Sequence, residues 1–325
     1  MVKVSVIVPV YNTSQYLVRC MEALVNQTLG EIEILAVNDG STDNSLEILK
    51  RYEEQYPGKV RVLTKENGGQ ATARNLGIRE SKGEYIGFAD SDDCVDRTIF
   101  EKLYRLAKKD DSDMVECHYH YLQETGGKTK ELKTRGNIRA YGNRKNMFID
   151  PQVSPWNKLY RREVLQKGEV TFPEGLIYED TAFYIKSIPF VEKESYLAEH
   201  LVYYYLRGSS TMNANKSRKV ADIFAVLGDI LDFYKTKGFY EEYREELEYF
   251  CVKILLCSSL SRVGRVTDHA LKEELLSETF RFVKENFPGY RRNKYFSGKI
   301  GCYIRFVNRS NSRWISTVLG RIMKG

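Results

Sequence analysis

Three aspartates fall within four residues, at Asp90, Asp92 and Asp93. In an extended segment residues two apart project to the same side, so Asp90 and Asp92 can direct two carboxylates at one point. Like charges this close repel unless cations or N–H donors offset them, and a divalent metal is the natural solution. Oxygen ligands with few competing nitrogens favour Mg²⁺ or Mn²⁺ shared with a phosphate; a solvated, metal-free acidic loop is the plainer alternative. Three more polar clusters accompany them: Pro9-Val10-Tyr11-Asn12, Asn38-Asp39-Gly40-Ser41-Thr42-Asp43 and Asn67-Gly68-Gly69-Gln70. Taken singly, each reads as an ordinary turn or helix cap.

Their placement gives them weight. The first hundred residues alternate short β-branched runs with amphipathic stretches, the pattern of strands crossed by helices in a parallel sheet. Strands are expected at Val4–Val10, Ile32–Asn38, Val60–Thr64 and Tyr85–Ala89, and each polar cluster follows one of them. Helices are expected at Gln15–Asn26, from an N-cap at Asp43 to Tyr56, and at Gln70–Ser81. Loops at the strand ends of an open α/β sheet sit over a crevice beside helix N-termini, where ligands bind. Further on, Met114–Tyr121 reads as a strand that Gly126-Gly127 could turn into a hairpin, and 128–150 as a polar loop or edge ribbon. Tyr203-Tyr204-Tyr205 is strand-like, and helical periodicity then covers about 217–236, 239–263, 268–286 and 302–323.

Composition bounds the possibilities. A chain of 325 residues with 42% apolar and 29% charged residues and only 7 Pro is a folded protein, sized for a large domain plus a smaller module. No apolar run approaches the roughly 20 residues of a membrane span, and no cleavable signal pattern precedes the first strand, so a cytosolic body is expected. Six cysteines without CxxC or zinc-ligand spacing read as reduced thiols used in packing. His118, His120, His200 and His269 show no ligand spacing with the carboxylates and read as structural or surface residues. The net charge of +6 is unevenly spread: residues 281–325 carry eleven basic residues against one acidic, leaving −4 for the rest. A basic end on a mildly acidic body suggests a segment that meets an anionic surface.

The motifs together resemble those of family 2 glycosyltransferases. The matching pieces are Val8-Pro9-Val10-Tyr11-Asn12, Asn38 to Asp43, Asn67-Gly68-Gly69-Gln70-Ala71-Thr72-Ala73-Arg74-Asn75, Phe88 to Asp93, Trp156-Asn157-Lys158-Leu159-Tyr160 and Tyr178-Glu179-Asp180. They span residues 2–210 in the family's order. The resemblance implies an α/β chain with a GT-A domain, the Rossmann-like nucleotide-diphospho-sugar transferase fold, over 1–211. A helical C-terminal module with a basic amphipathic tail follows over 212–325, where no motif matches.

It also implies roles. Pro9 would set the backbone against the nucleoside and Tyr11 would stack on the base, or pack half-buried. Asp39 matches the acid that accepts the uracil imide N–H, pointing to UDP. Asn67 and Arg74 match residues near the base and the ribose or phosphate, although an exposed salt bridge is the plain alternative for Arg74. Asp90 and Asp92 match the DxD pair, Asp92 as direct ligand of Mn²⁺ or Mg²⁺ with Asp90 as a second candidate, and Asp93 in support. Asp180 matches the catalytic base, with Glu179 in reserve and a helix cap as the alternative. Arg207 and Ser210 resemble, more loosely, a segment that closes over the pyrophosphate.

The expected activity is thus inverting, metal-dependent transfer of a hexose or N-acetylhexosamine from a UDP-sugar to a surface glycan, glycoprotein or lipid-linked acceptor. A non-catalytic nucleotide- or glycan-binding scaffold and a nucleotidyltransferase are the alternatives, though the latter would normally carry a Gly-rich basic phosphate loop, absent from Pro9–Ser14. In the tail, Trp314, Ile315, Val318, Leu319, Ile322 and Met323 recur at helical spacing as an apolar stripe with Arg313 and Lys324 as cationic flanks. Such a helix packs on its own module, joins a homo-oligomer, or docks on the inner face of the membrane. No recognition motif for nucleic acid accompanies the charge.

Overall fold

The computed structural model describes residues 1–125, 128–132, 141–206 and 217–322. Contacts divide the chain into two compact units. The first comprises Met1–Arg144, Gln152–Gly175 and Glu179–Arg207; the second Lys145–Pro151, Leu176–Tyr178 and Gly208–Gly325.

Among the described residues the first unit is built on a mixed sheet of nine strands: β1 (Val4–Val10), β2 (Ile32–Asp39), β3 (Val60–Lys65), β4 (Tyr85–Phe88), β5 (Cys94–Val95), β6 (Met114–Thr125), β7 (Lys128–Leu132), β8 (Lys158–Arg161) and β9 (Glu194–Leu206). Their order is β3-β2-β1-β4-β8-β6-β9-β5, with β7 paired to β6 at the side. The strands β3, β2, β1 and β4 are mutually parallel, joined by α1 (Ser14–Val25), α2 (Ser45–Gln55) and α3 (Gln70–Glu80). Every residue of β1 and β2 is buried, which is why both read as continuous runs rich in Val, Ile and Leu. After α4 (Ile99–Asp110) the alternation ends, because β8 pairs antiparallel with both β4 and β6. The short helices α5 (Arg162–Gly168) and α6 (Glu179–Ser187) complete this unit.

Small residues bring α3 down onto the sheet. A Cβ at Gly77 would lie 2.4 Å from Ile7 Cγ2, so only glycine permits this approach. Ala71 and Ala73 are buried on the same helix, and Arg74 between them and Asn75 is drawn inward.

The second unit is helical: α7 (Asp222–Thr236), α8 (Arg244–Lys253), a π-helical stretch Ile254–Ser259 running into α9 (Leu260–Gly264), α10 (His269–Asn286), α11 (Gly298–Phe306) and α12 (Arg309–Ile322). Asp268 caps α10 through its carboxylate, which accepts from the N–H groups of Ala270 and Leu271.

Two expectations need correction here. The continuous helix expected over 302–323 is broken at Val307-Asn308, where Val307 is extended and the Asn311 side chain accepts from the Asn308 N–H. The apolar stripe expected on the last helix is also redistributed. The buried face of α12 is Ser312, Ile315, Ser316 and Gly320, whereas Trp314 and Ile322 are exposed. Close packing on α9 selects small residues over large ones, since the two helices meet at Gly264 and Gly320. Met323 and Lys324 lie outside the described residues.

Candidate functional site

The four polar clusters follow β1, β2, β3 and β4 and are stitched into one rim by side-chain hydrogen bonds. Asn12, in the left-handed region at φ 50°, accepts from the Thr42 N–H at 2.8 Å and so ties the first loop to the second. Asp43 accepts from the N–H groups of Ser14 and Ser45, both at 3.0 Å, joining the starts of α1 and α2. Partial desolvation opposes ionisation there, but these hydrogen bonds prevail and hold the carboxyl at about 2. It was expected as the cap of α2; the cap position is Asn44, one residue on. The Thr13 hydroxyl donates to Ser91 at 3.0 Å, linking the first loop to the fourth.

Asp39 is buried at the end of β2, and the parallel register sets it opposite Lys65. Its Oδ1 accepts from Lys65 Nζ at 2.5 Å and the Gly68 N–H at 3.0 Å, and Oδ2 from the Gly69 N–H at 2.8 Å. The Asn67 amide donates to the Asp39 carbonyl at 3.1 Å. This acid therefore moulds the third loop. Gly40 permits the approach: a Cβ there would lie 2.8 Å from the Asn67 nitrogen.

At the centre lies Arg74, 1% exposed. It is not the exposed salt bridge considered from sequence, because α3 presses it against the sheet. Nη2 donates to Asp90 Oδ1 at 2.9 Å, and Nη1 to Asp180 Oδ1 at 2.5 Å and Glu179 Oε1 at 3.2 Å. Phe172 lies beneath the guanidinium, 5.1 Å from its carbon to the ring centre. Burial works to lower the arginine's pKa, but three carboxylates hold it above the ordinary value. Those carboxylates outnumber it. Asp180 accordingly has its pKa pushed up to about 7: desolvation raises it, Glu179 and Asp90 add to the rise, and Arg74 opposes them. Its side chain remains 28% exposed.

Asp90 also accepts from Gln70 Nε2 at 3.0 Å, on the same Oδ1; among the described residues its Oδ2 accepts nothing. That free carboxylate oxygen, with Asp92 two residues on, suits a hard divalent cation. Among the described residues no three acidic, histidine or cysteine groups form a cage that could hold a metal. The Asp92 carbonyl accepts from Arg19 at 3.1 Å, and Asp93, buried, accepts from the Tyr205 N–H at 2.9 Å. Tyr11 is 49% exposed beside the rim, whereas Pro9 is buried inside β1. Pairing with β4 has ended at Ile7–Phe88, so the missing N–H of Pro9 interrupts no ladder on that side. Arg207 and Ser210 lie outside the described residues.

The segment 156–160 turns inward. Lys158 and Glu116 are buried 3.4 Å apart, and Asn157 donates to the Cys117 carbonyl at 2.8 Å, so this motif braces β8 against β6. Sequence reasoning left Lys65, Gln70 and Arg19 without roles. Lys65 could have been found from the strand register opposite Asp39. It also missed that His118, His120 and His200 meet across β6 and β9, with ring centres 4.7 and 4.8 Å apart, and that His120 sits 2.6 Å from Glu131. A bulge in the β6–β9 pairing at His118 brings them together, and no sequence spacing shows that.

The chain is similar to known proteins in sequence and in fold. Residues 5–168 match the model of the family described as glycosyl transferase family 2. The uncharacterized glycosyltransferase YibD of Escherichia coli (strain K12) is 31% identical over 299 residues, covering 86% of this chain and 84% of the relative. Glycosyltransferase GlyG of Streptococcus pneumoniae serotype 4 is 34% identical over 238 residues, 68% of this chain and 78% of the relative. Among solved structures, S. aureus TarS 1–349 in complex with UDP-GlcNAc superposes with a TM-score of 0.74 at 19% identity, over 98% of this chain and 90% of that one. That likeness shows a shared GT-A fold.

Proposed function

Because the chain belongs to glycosyl transferase family 2, we propose that it moves one hexose or N-acetylhexosamine from a UDP-sugar to a hydroxyl of a surface glycan, a glycoprotein or a lipid-linked acceptor, inverting the anomeric carbon. One observation carries this reading. A single buried guanidinium, that of Arg74, grips Asp90 at the end of β4 and Asp180 in the first turn of α6. The acid of the donor side and the candidate base are thereby held at a fixed separation, as a one-step displacement requires.

Each residue has a part in that reading. Asp39 uses three of the roughly four acceptor positions of a carboxylate on the end of β3 and the loop after it, which leaves one for the imide N–H of a uracil. Tyr11 offers an exposed ring for the base, and Pro9 and Asn67 shape the wall beside it. The UDP-GlcNAc in the TarS complex supports uridine as the nucleoside. Asp92, with Asp90, would hold Mn²⁺ or Mg²⁺, whose charge neutralises the departing diphosphate when bound. Asp93 fixes that loop through the Tyr205 N–H.

Asp180 would take the proton of the acceptor hydroxyl as its oxygen bonds to the anomeric carbon and the bond from that carbon to the diphosphate oxygen breaks. A carboxyl pushed up to about 7 is a stronger base than an ordinary aspartate and is half ionised near neutral pH. Arg74 orients it, and Glu179 is the reserve base on the same guanidinium. A panel of UDP-sugars assayed for slow hydrolysis tests the reading: one donor should release free sugar, and Asp92→Ala should abolish the release. Binding without any turnover of the panel, with or without candidate acceptors, would leave a non-catalytic scaffold instead.

A further inference from the structure

Of the six large apolar side chains exposed among the described residues, three fall within residues 306–322: Phe306 at 59%, Trp314 at 64% and Ile322 at 73%. Their exposure follows from how α12 packs. Ser312, Ile315, Ser316 and Gly320 form its buried face, and a Cβ at Gly264 of α9 would lie 1.8 Å from the Ser316 carbonyl oxygen. Trp314 and Ile322 lie exposed outside that face with the half-buried Val318 between them at spacings of four, and Arg321 is exposed beside Ile322. Phe306 and Arg305 stand exposed together at the end of α11.

Among the described residues the cations of α11 and α12 outnumber the acids that pair with them. Arg309 and Arg313 share Glu273, at 2.7 and 3.6 Å. Lys299, Arg305 and Arg321 are exposed and form no ion pair among the described residues. Exposed apolar side chains and free cations on the same two helices gain from leaving water only against a partner that is both apolar and anionic. A second copy meeting them about a twofold axis would set the same arginines against each other. A bilayer with anionic headgroups meets both needs, with tryptophan at headgroup depth and the cations on lipid phosphates.

We propose that α11 and α12 dock this chain peripherally on an anionic phospholipid surface. Trp314, Val318 and Ile322 enter the headgroup layer, and Lys299, Arg305 and Arg321 meet the phosphates. The inference stands apart from the transfer chemistry, and its test does not read activity.

The two tryptophans make the test direct, because Trp156 is 8% exposed and Trp314 is the one open to solvent. The full chain is titrated with phosphatidylcholine vesicles, pure or containing about a third phosphatidylglycerol, and followed by tryptophan emission and flotation. Phosphatidylglycerol vesicles should shift the emission to the blue and carry the protein upward, reversibly with salt, while pure phosphatidylcholine does neither. The pair Arg305→Glu and Arg321→Glu should lower partitioning at least tenfold, since each neutralised cation alone is worth roughly fivefold. Trp314→Ser with Ile322→Ser should also lower it, with the circular dichroism of both variants unchanged. Absence of binding to phosphatidylglycerol vesicles, or binding that both folded variants retain, overturns the proposal. So does a concentration-dependent dimer in lipid-free buffer that Trp314→Ser disperses, which would assign these side chains to a second copy.

Discussion

Nη1 of Arg74 lies 2.5 Å from Oδ1 of Asp180, a contact between residues 106 positions apart. The other terminal nitrogen of the same guanidinium holds Asp90. A helix drawn tightly against β1 and the first turn of α6 are thus joined through one planar fork, and the acids of the site inherit their positions from it.

Lysine cannot reproduce that fork, having one ammonium where arginine offers two separated nitrogens. Arg74→Lys should therefore lower turnover by roughly 10²-fold, the usual consequence of misplacing reacting groups by about an ångström. Arg74→Ala should in addition destabilise the fold by about 3 kcal/mol, because three partly buried carboxylates lose their cation. Steady-state kinetics and urea unfolding measure the two effects. An alanine variant as stable as the parent would mean that the carboxylates do not depend on Arg74.

The raised pKa of Asp180 gives two pH dependences of opposite sense. In the free enzyme kcat/KM should climb as pH rises through about 7, when Asp180 loses its proton and becomes a base. Stability should run the other way. From about 4, the ordinary aspartate range, up to about 7, the folded chain keeps a proton that the unfolded chain has released. This contribution favours folding at low pH and is lost as pH rises through that window. Urea midpoints at pH 5 and pH 8 for the parent and Asp180→Asn would separate this slope from those of other groups. An identical slope in both proteins would place the titration elsewhere.

Chelation addresses the DxD pair. Without a cation Asp90 and Asp92 repel a diphosphate, so UDP should bind roughly tenfold or more weakly in EDTA than in Mn²⁺. Asp92→Ala should remove most of that difference. Calorimetry that finds the same UDP affinity in both buffers would count against the metal ligands named here.

Two glycines test the packing of the second unit. Gly264→Ala forces a methyl group onto the Ser316 carbonyl, and should cost about 1–3 kcal/mol. Gly228, inside α7, has no heavy atom within 4 Å of where its Cβ would be, so Gly228→Ala should stabilise by up to about 1 kcal/mol. Equal melting temperatures for the two variants would contradict the close approach of α9 and α12.

The parallel half of the sheet was legible because β1, β2 and β4 are buried on both faces and the loops carry polar clusters directly after apolar runs. Val4–Val10 and the four clusters needed nothing more than that pattern. The grip of Arg74 on Asp180 was not legible, since it depends on how far α3 sinks at Gly77, a tertiary fact. The histidine ladder was hidden for a similar reason: a bulge at His118 sets its register with His200. In the last helix hydrophobicity misled. Helix-to-helix approach at Gly264 selected Ser312, Ser316 and Gly320 for the inside and left Trp314 outside, although a stripe of large apolar residues would normally mark the buried face.

Asp180→Asn tests the role of Asp180 as the base directly, because it keeps the shape and removes the proton acceptor. Transfer should fall by roughly 10²-fold or more, while calorimetric affinity for UDP stays within about twofold of the parent. Near-normal transfer by Asp180→Asn at saturating donor would contradict the assignment and move the base to Glu179.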